Sequence, residues 1–291
     1  AHPSDLAASG AQPIAARVPG NVELDLERAG RLPDPFYGEN MRLLRPFEFY
    51  EWWLTHTFDL PASAAGERWE LVFAGLDTLA TVWVNGVEVG RAANMFIEQR
   101  FDVTAALRPG AANEIAVRLA SAVNAARRYH YDASVMSWEH RHEGLFIRKP
   151  PHCWGWDIMP RAVSAGAWRP VWIESRPATA LEQVYYWTRE IHPGGATLGV
   201  HVQFRTDQAD LDGFALRFHG VCGAHTFDCE HPVEFIADQC DIAVADARLW
   251  WPRGYGEPNL YTVTAQLCYR GQVVDERVER IGIRKIVVDR T

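Results

Sequence analysis

Short runs in which apolar and polar residues alternate recur through this chain, and they restrict it to folds built from β-strands. The strongest turn signal is Asn85-Gly86, which separates the apolar runs 81–84 and 87–89. Because both turn residues tolerate positive φ, this dipeptide predicts a two-residue β-hairpin. Alternation over 198–204 and 261–269 predicts further strands that bury one face. The sequence therefore predicts an all-β protein.

One helix interrupts this pattern near the N-terminus. Asn21 is suited to cap its first turn, and Gly30 is suited to end it. Val22, Leu26 and Ala29 fall on one face of the intervening segment, so we expect that face to be buried.

The strands fall into two blocks that meet near residues 175–180. A chain of 291 residues exceeds a typical single domain. We therefore expect two β-sandwiches, over 1–176 and 177–291, the second with the size of an immunoglobulin-like domain. The chain ends directly after a predicted strand, so we expect it to have been cut at a domain edge.

Composition and charge exclude several classes of function. The net charge is −8 and no basic block stands out, so nucleic-acid binding is not expected. No run approaches the roughly 18 apolar residues of a membrane helix, so we expect a soluble chain without a membrane partner.

The first residues lack the basic start and apolar core of a signal peptide. Five scattered cysteines favour free thiols in a reducing compartment, and hence a cytoplasmic location.

Two clusters could suggest a metal site. One is His140-Arg141-His142-Glu143; the denser one comprises His219, Cys222, His225, Cys229 and His231. Neither contains the CxxC knuckle typical of zinc sites, and alternation along a strand brings such residues together by chance. We therefore predict no metal and no cofactor.

Twelve tryptophans suit both sheet cores and sugar binding, because the apolar face of a pyranose stacks on an aromatic ring. For the pair Trp250-Trp251 we favour packing between domains over a sugar platform.

Several motifs in the same order along the chain are similar to those of the β-mannosidases of glycoside hydrolase family two. In the first block they lie at 18–26, 33–38, 75–78, 94–96, 100–104, 147–149, 155–157, 160–161 and 168–171. In the second block they lie at 249–252, 254–261 and 282–285. The resemblance implies a jelly-roll β-sandwich over 1–176, an immunoglobulin-like β-sandwich over 177–291, and then a catalytic barrel that this chain lacks.

Enzymes of this family retain configuration, using one carboxylic acid to protonate the leaving oxygen and a second carboxylate as nucleophile. The resemblance places both glutamates in the (β/α)₈ barrel. We therefore expect no catalytic residue among these 291 residues, and no hydrolysis by this chain alone. Its implied partners are a carbohydrate with a terminal β-mannoside and its own C-terminal barrel.

The Gly155-Trp156-Asp157 motif resembles a loop with which the first domain of β-mannosidases touches the terminal sugar. The resemblance implies that Trp156 and Asp157 bind substrate. A tryptophan offers a stacking face, and a carboxylate can accept two hydroxyl hydrogen bonds. The alternative is a core tryptophan beside a turn aspartate. The family usually continues Trp-Gly-Pro, whereas this chain continues Ile158-Met159-Pro160, a departure that bears on loop shape and sugar preference.

The resulting hypothesis is the non-catalytic N-terminal part of a retaining exo-β-mannosidase-like hydrolase, which lines one wall of the sugar pocket. The alternative is a freestanding carbohydrate-binding or scaffold protein. A β-galactosidase or β-glucuronidase of the same family is a third possibility, which the Gly-Trp-Asp motif disfavours.

Overall fold

The structure, a computed structural model, describes residues 2–62, 68–130, 132, 134 and 142–290. The chain divides into two compact units, residues 1–176 and 177–291. Both units consist mainly of antiparallel strands, which confirms the predicted all-β class. None of the helices formed by the described residues is long and apolar enough to cross a membrane.

The first unit contains nine described strands and two short α-helices. The strands are β1 (Trp52–Asp59), β2 (Trp69–Phe73), β3 (Leu76–Asp77), β4 (Leu79–Val84), β5 (Val87–Ala92), β6 (Gln99–Asp102), β7 (Ala112–Ala120), β8 (Gly166–Ala167) and β9 (Val171–Ser175). The helices are α1 (Val22–Arg28) and α2 (Ala122–Ala126).

Two sheets of the first unit enclose its main core. One has the strand order β1-β7-β4-β5 and the other β6-β2-β9, while β3 and β8 form a separate pair. Leu71 and Phe73 of β2 pack with Val82 of β4 and Val117 of β7, all at most 2% exposed. Alternate residues of each strand thus face the space between the sheets, as in a β-sandwich.

The second unit consists of seven described strands in sheets of three and four. They are β10 (Ala180–His192), β11 (Gly195–Arg205), β12 (Phe214–Cys222), β13 (His225–Pro232), β14 (Ala237–Ala245), β15 (Tyr261–Tyr269) and β16 (Gln272–Ile281). The sheets have the orders β10-β11-β14 and β13-β12-β15-β16. Val200, Phe218 and Val263, each at most 1% exposed, belong to one core between them. This is the layout of an immunoglobulin-like sandwich.

The predicted hairpin is confirmed, and the predicted helix is confirmed in part. Asn85 and Gly86 have φ values of 51° and 80° between the paired strands β4 and β5. The Asn21 side chain accepts a hydrogen bond from the Leu24 amide at the start of α1. The predicted burial of Ala29 is wrong: Ala29 is exposed because α1 ends before it, and Glu23 is buried instead.

Candidate functional site

Residues 150–163 form a loop of the first unit that carries the Gly-Trp-Asp motif. At its tip the Trp156 amide donates to the Met159 carbonyl at 2.8 Å, and the Met159 amide donates to the Trp156 carbonyl at 3.3 Å. Gly155, with φ 93°, bends the chain before this turn, and a Cβ there would lie 3.2 Å from the Cβ of Arg161. Positive φ and the close neighbour together favour glycine. Residues 156–159 therefore form a tight hairpin turn.

The side chains of this hairpin turn point outward. Trp156 is 53% exposed, whereas Trp154 is 2% exposed and fills the core beneath. Asp157 is exposed, and its Oδ1 accepts from the Ile158 amide at 3.0 Å. Within the described residues its Oδ2 makes no hydrogen bond. The structure thus brings Trp156 and Asp157 together at one exposed tip and assigns the core position to Trp154.

Arg161 clamps the second arm of the loop. Its Nε lies 2.9 Å from Glu48 Oε1, and its Nη2 lies 2.8 Å from Glu48 Oε2. The guanidinium also lies over the Trp154 ring at 5.3 Å from the ring centroid, and its Nη2 is 3.8 Å from Glu143. The Glu48 side chain is 2% exposed, so this two-point ion pair is largely shielded from water.

A buried ion pair lies at the base of the loop. The Lys149 ammonium, whose side chain is fully buried, contacts the carboxylate of Asp77. It also donates to the Ser164 carbonyl at 2.9 Å. The Thr78 hydroxyl donates to the second Asp77 oxygen, so each carboxylate oxygen has a partner. Such pairing is required to hold charges away from water.

A second buried carboxylate belongs to the same network. The Ser164 hydroxyl donates to Glu23 Oε2 at 2.6 Å, and Glu23 is 7% exposed. Burial raises the pKa of Glu23 to about 7, although the Ser164 hydrogen bond and the charge of Lys149 oppose this shift. Glu23 therefore changes its charge near neutral pH.

A shallow cleft of about 480 Å³ adjoins the hairpin turn. Its lining comes from two segments and is mainly apolar: Pro35, Phe36, Gly38, Met41, His152, Cys153, Met159, Pro160 and Ala162. Burial raises the pKa of the Cys153 thiol, so it lines the cleft as a neutral group. Met159 lines this cleft, while Ile158 is 85% exposed.

The histidine-cysteine cluster of the second unit is spread over two strands, and two of its histidines form hydrogen bonds to other side chains. His219 bonds to Asp228 at 2.7 Å, and His225 bonds to the Tyr261 hydroxyl at 2.9 Å. His231 lies 3.4 Å from Asp238. Among the described residues, no three His, Cys, Asp or Glu side chains converge on a possible metal position.

The absence of zinc stays a prediction. We expect dialysed protein to contain far less than one zinc per chain by elemental analysis, because the candidate ligands alternate along two strands and do not converge among the described residues. One zinc per chain, lost when Cys222 and Cys229 are both replaced by serine, would contradict this.

The segment 140–143 and the pair Trp250-Trp251 are the remaining candidates from the sequence. His140 and Arg141 lie outside the described residues. Glu143 is buried near Arg161. The Arg284 guanidinium lies 5.4 Å from the ring centroid of Trp250 and 5.6 Å from that of Trp251. Packing of this tryptophan pair between domains stays a prediction.

Sequence reasoning found the tip of the loop but missed the residues beneath it. In the sequence Lys149 lies within the motif 147–149, and no local pattern distinguishes Glu23 from the other residues of the predicted helix. A signal was present: Lys149 and Lys285 are the two lysines of the sequence, so 27 of the 29 basic residues are arginine. A lysine suits a narrow buried position because its compact ammonium needs less space than a guanidinium.

Two family models together match most of the chain. Residues 5–169 match the glycosyl hydrolase 2 galactose-binding domain-like family, and residues 183–284 match glycosyl hydrolases family 2. The chain belongs to glycosyl hydrolase family 2.

Curated relatives narrow this similarity to the N-terminal part of β-mannosidases. The chain is 30% identical over 281 residues to β-mannosidase B of Thermothelomyces thermophilus, covering 93% of this chain and 32% of that protein. It is 31% identical to β-mannosidase B of Aspergillus niger, covering 92% of this chain and 32% of that protein. The chain thus spans about a third of the length of these relatives.

Solved structures agree with the fold. The β-D-mannosidase of Dictyoglomus thermophilum matches with a TM-score of 0.79 and 29% identity, covering 93% of this chain and 34% of that one. A β-glucuronidase of Ruminococcus gnavus matches with a TM-score of 0.61 and 17% identity, covering 97% of this chain and 42% of that one. The second likeness concerns the fold alone.

Proposed function

We propose that this chain is the non-catalytic N-terminal part of a retaining exo-β-mannosidase-like hydrolase, and that its hairpin turn forms one wall of the sugar pocket. The observation that carries the proposal is the exposure of Trp156 beside Asp157, while Trp154 fills the core. An aromatic face and a carboxylate oxygen on one rigid turn can stack on a pyranose and accept bonds from its hydroxyls. The β-mannosidase relatives support a terminal β-mannoside as the ligand.

The catalytic pair is proposed to lie in a barrel that follows these residues. Retaining hydrolysis needs two carboxyl groups about 5 Å apart, facing the substrate. The buried carboxylates beneath the loop do not meet this need, because Arg161 holds Glu48 and Lys149 holds Asp77. Sequencing the gene beyond Thr291 tests the proposal directly. A reading frame that encodes a barrel supports it, and a stop codon supports a freestanding binding or scaffold protein.

The 291-residue chain alone is expected to release no nitrophenol from nitrophenyl β-mannoside above the buffer rate. The physical reason is that one wall of a pocket without a nucleophile provides no path for covalent catalysis. A continuous absorbance assay measures the rate. Turnover that persists through repurification and disappears on mutation within these residues would contradict the expectation.

In the full-length protein, Asp157→Ala is expected to lower kcat/KM for a β-mannoside by roughly ten- to a hundredfold. Each charge-assisted hydrogen bond to a sugar hydroxyl contributes about 1.5–3 kcal/mol, and its loss appears directly in kcat/KM. The stability cost should stay below about 1 kcal/mol, because the residue lies in an exposed turn. Kinetics and thermal unfolding on one preparation measure both quantities.

Asp210→Ala provides a matched control. Asp210 is also exposed, and its carboxylate likewise accepts one backbone hydrogen bond, from the Asp212 amide at 3.2 Å. We expect this variant to keep the parental kcat/KM. If Asp157→Ala instead lowers the melting temperature and activity together, Asp157 holds the loop and does not contact the sugar.

A further inference from the structure

We propose that Lys149 is a positioning residue: with Asp77 it closes the base of loop 150–163 and so fixes the hairpin turn that presents Trp156 and Asp157. The part of this inference that concerns catalysis rests on the proposed function. Its structural part, that the base of the loop controls the order of its tip, does not depend on that function.

A hydrogen bond between the two residues that flank the loop closes its base. Lys149 and Ser164 are the two residues that flank the loop, and the Lys149 Nζ donates to the Ser164 carbonyl at 2.9 Å. A compact loop of this length, whose ends are joined, behaves as one body on the surface that carries it. The position of its tip therefore depends on what holds the joined ends.

Two anchors from distant parts of the sequence hold those ends. Asp77 lies in β3, which pairs with β8 through Gly166, two residues after Ser164. Glu23 lies in α1 and accepts the Ser164 hydroxyl bond at 2.6 Å. The anchors bind opposite ends of the loop, since Asp77 contacts Lys149 and Glu23 contacts Ser164. A shift at either anchor moves the whole loop.

Burial makes the closure rigid. The side chains of Lys149 and Asp77 are 0% and 6% exposed, so water does not compete for their charges. The charged and titratable groups that face this pair are Glu23 from α1 and the Cys153 thiol from the loop itself. Lys149 is thus the one cation among these groups. Removing its ammonium leaves the carboxyl groups of Asp77 and Glu23 without a neighbouring positive charge.

The tip of the loop needs such rigidity. A misplacement of about 1 Å at a substrate-contacting group can cost roughly a hundredfold in rate. Within the hairpin turn the two backbone bonds between Trp156 and Met159 fix its shape but not its direction. The base of the loop, together with the Arg161 clamp, supplies that direction.

The test compares two isosteric variants of the 291-residue chain by hydrogen exchange. Asp77→Asn removes the charge that holds Lys149, while Glu70→Gln removes a carboxylate of equal burial in the same unit, both being 5% exposed. Glu70 pairs with Arg100 at 3.0 Å, in the sheet that contains β2. The reporters are the amides of Trp156, Met159 and Ala162, each bonded within the loop.

We expect Asp77→Asn to lower the protection of these three amides by about tenfold or more, the effect of losing one charged hydrogen bond. Glu70→Gln should leave them unchanged. If Asp77→Asn does not fold, Ser164→Ala serves instead, because it removes the bond to Glu23 while keeping the carbonyl that Lys149 uses. It should weaken protection of the same amides.

Equal loss of protection in Asp77→Asn and Glu70→Gln, or no loss in Asp77→Asn and Ser164→Ala, would overturn the positioning role. In the full-length protein, Asp77→Asn should reduce kcat for a β-mannoside by about tenfold or more, through misplacement of the tip. Glu70→Gln should keep the parental kcat. Changed exchange in Asp77→Asn with unchanged activity in Asp157→Ala would refute the proposed function and leave the positioning role standing.

Discussion

Replacing Lys149 with methionine is expected to lower the free energy of unfolding of the first unit by about 3–5 kcal/mol. The reason is the carboxylate of Asp77, which is 5% exposed and would lose its cation while staying buried. Methionine fills most of the space but offers no donor. Denaturant titrations of parent and variant, fitted for the first unit, measure the loss.

Lys285→Met is the control for this experiment. Lys285 is exposed in the second unit, and its Nζ donates to the Arg189 carbonyl at 2.9 Å. Its replacement should cost within about 0.5 kcal/mol. The double variant Lys149→Met, Asp77→Leu should be more stable than Lys149→Met, because the unpaired charge is gone. A loss below about 1 kcal/mol in Lys149→Met would mean that water reaches Asp77.

Glu23→Gln is expected to be about 3 kcal/mol more stable than the parent at pH 8, and within about 1 kcal/mol of it at pH 5. The folded pKa of Glu23 is raised to about 7 from an ordinary value of 4.5. Between these values the folded chain keeps the proton and the unfolded chain releases it, so stability falls as pH rises. Glutamine cannot ionise and avoids this loss, which amounts to about 1.4 kcal/mol per pH unit.

The difference between the two proteins, measured by denaturant titration at several pH values, isolates this residue from every other titrating group. Glu27→Gln is the control, since Glu27 lies one turn further along α1 and is only partly buried. The Glu23→Gln difference from the parent should change with pH more than the Glu27→Gln difference does. A Glu23→Gln difference that stays constant from pH 5 to pH 8 would show that Glu23 ionises in the folded chain much as in water.

Local patterns predicted the strands that alternate cleanly. The bounds of β15 agree with the predicted run 261–269, and the Asn85-Gly86 turn is where the hairpin signal put it. The strands β13 and β14 were missed, because their partly buried faces carry cysteine, histidine and aspartate in place of large apolar residues. Such strands are defined by their neighbours in the sheet, which a window of sequence does not contain.

In the candidate site, too, residues that are neighbours in sequence could be predicted, and residues far apart in sequence could not. The motif at 155–157 predicted the tip through its resemblance to a family loop, which could be recognised because its three residues are contiguous in sequence. The buried network could not be predicted, since Lys149 lies 72 positions from Asp77 and Ser164 lies 141 positions from Glu23. Only the folded chain shows that these charges meet. The burial of Glu23 also contradicts the helical pattern, which favoured an apolar residue on that face.

The burial of Lys149 has a practical consequence for work with this protein. Amine-directed reagents attack uncharged, accessible amino groups, and of the two lysine side chains only that of Lys285 is exposed. A dye or a surface linker coupled through lysine therefore attaches at one position of the second unit, apart from the chain terminus. Because Lys149 is buried, coupling through Lys285 leaves the side chains of the hairpin turn in the first unit chemically unaltered.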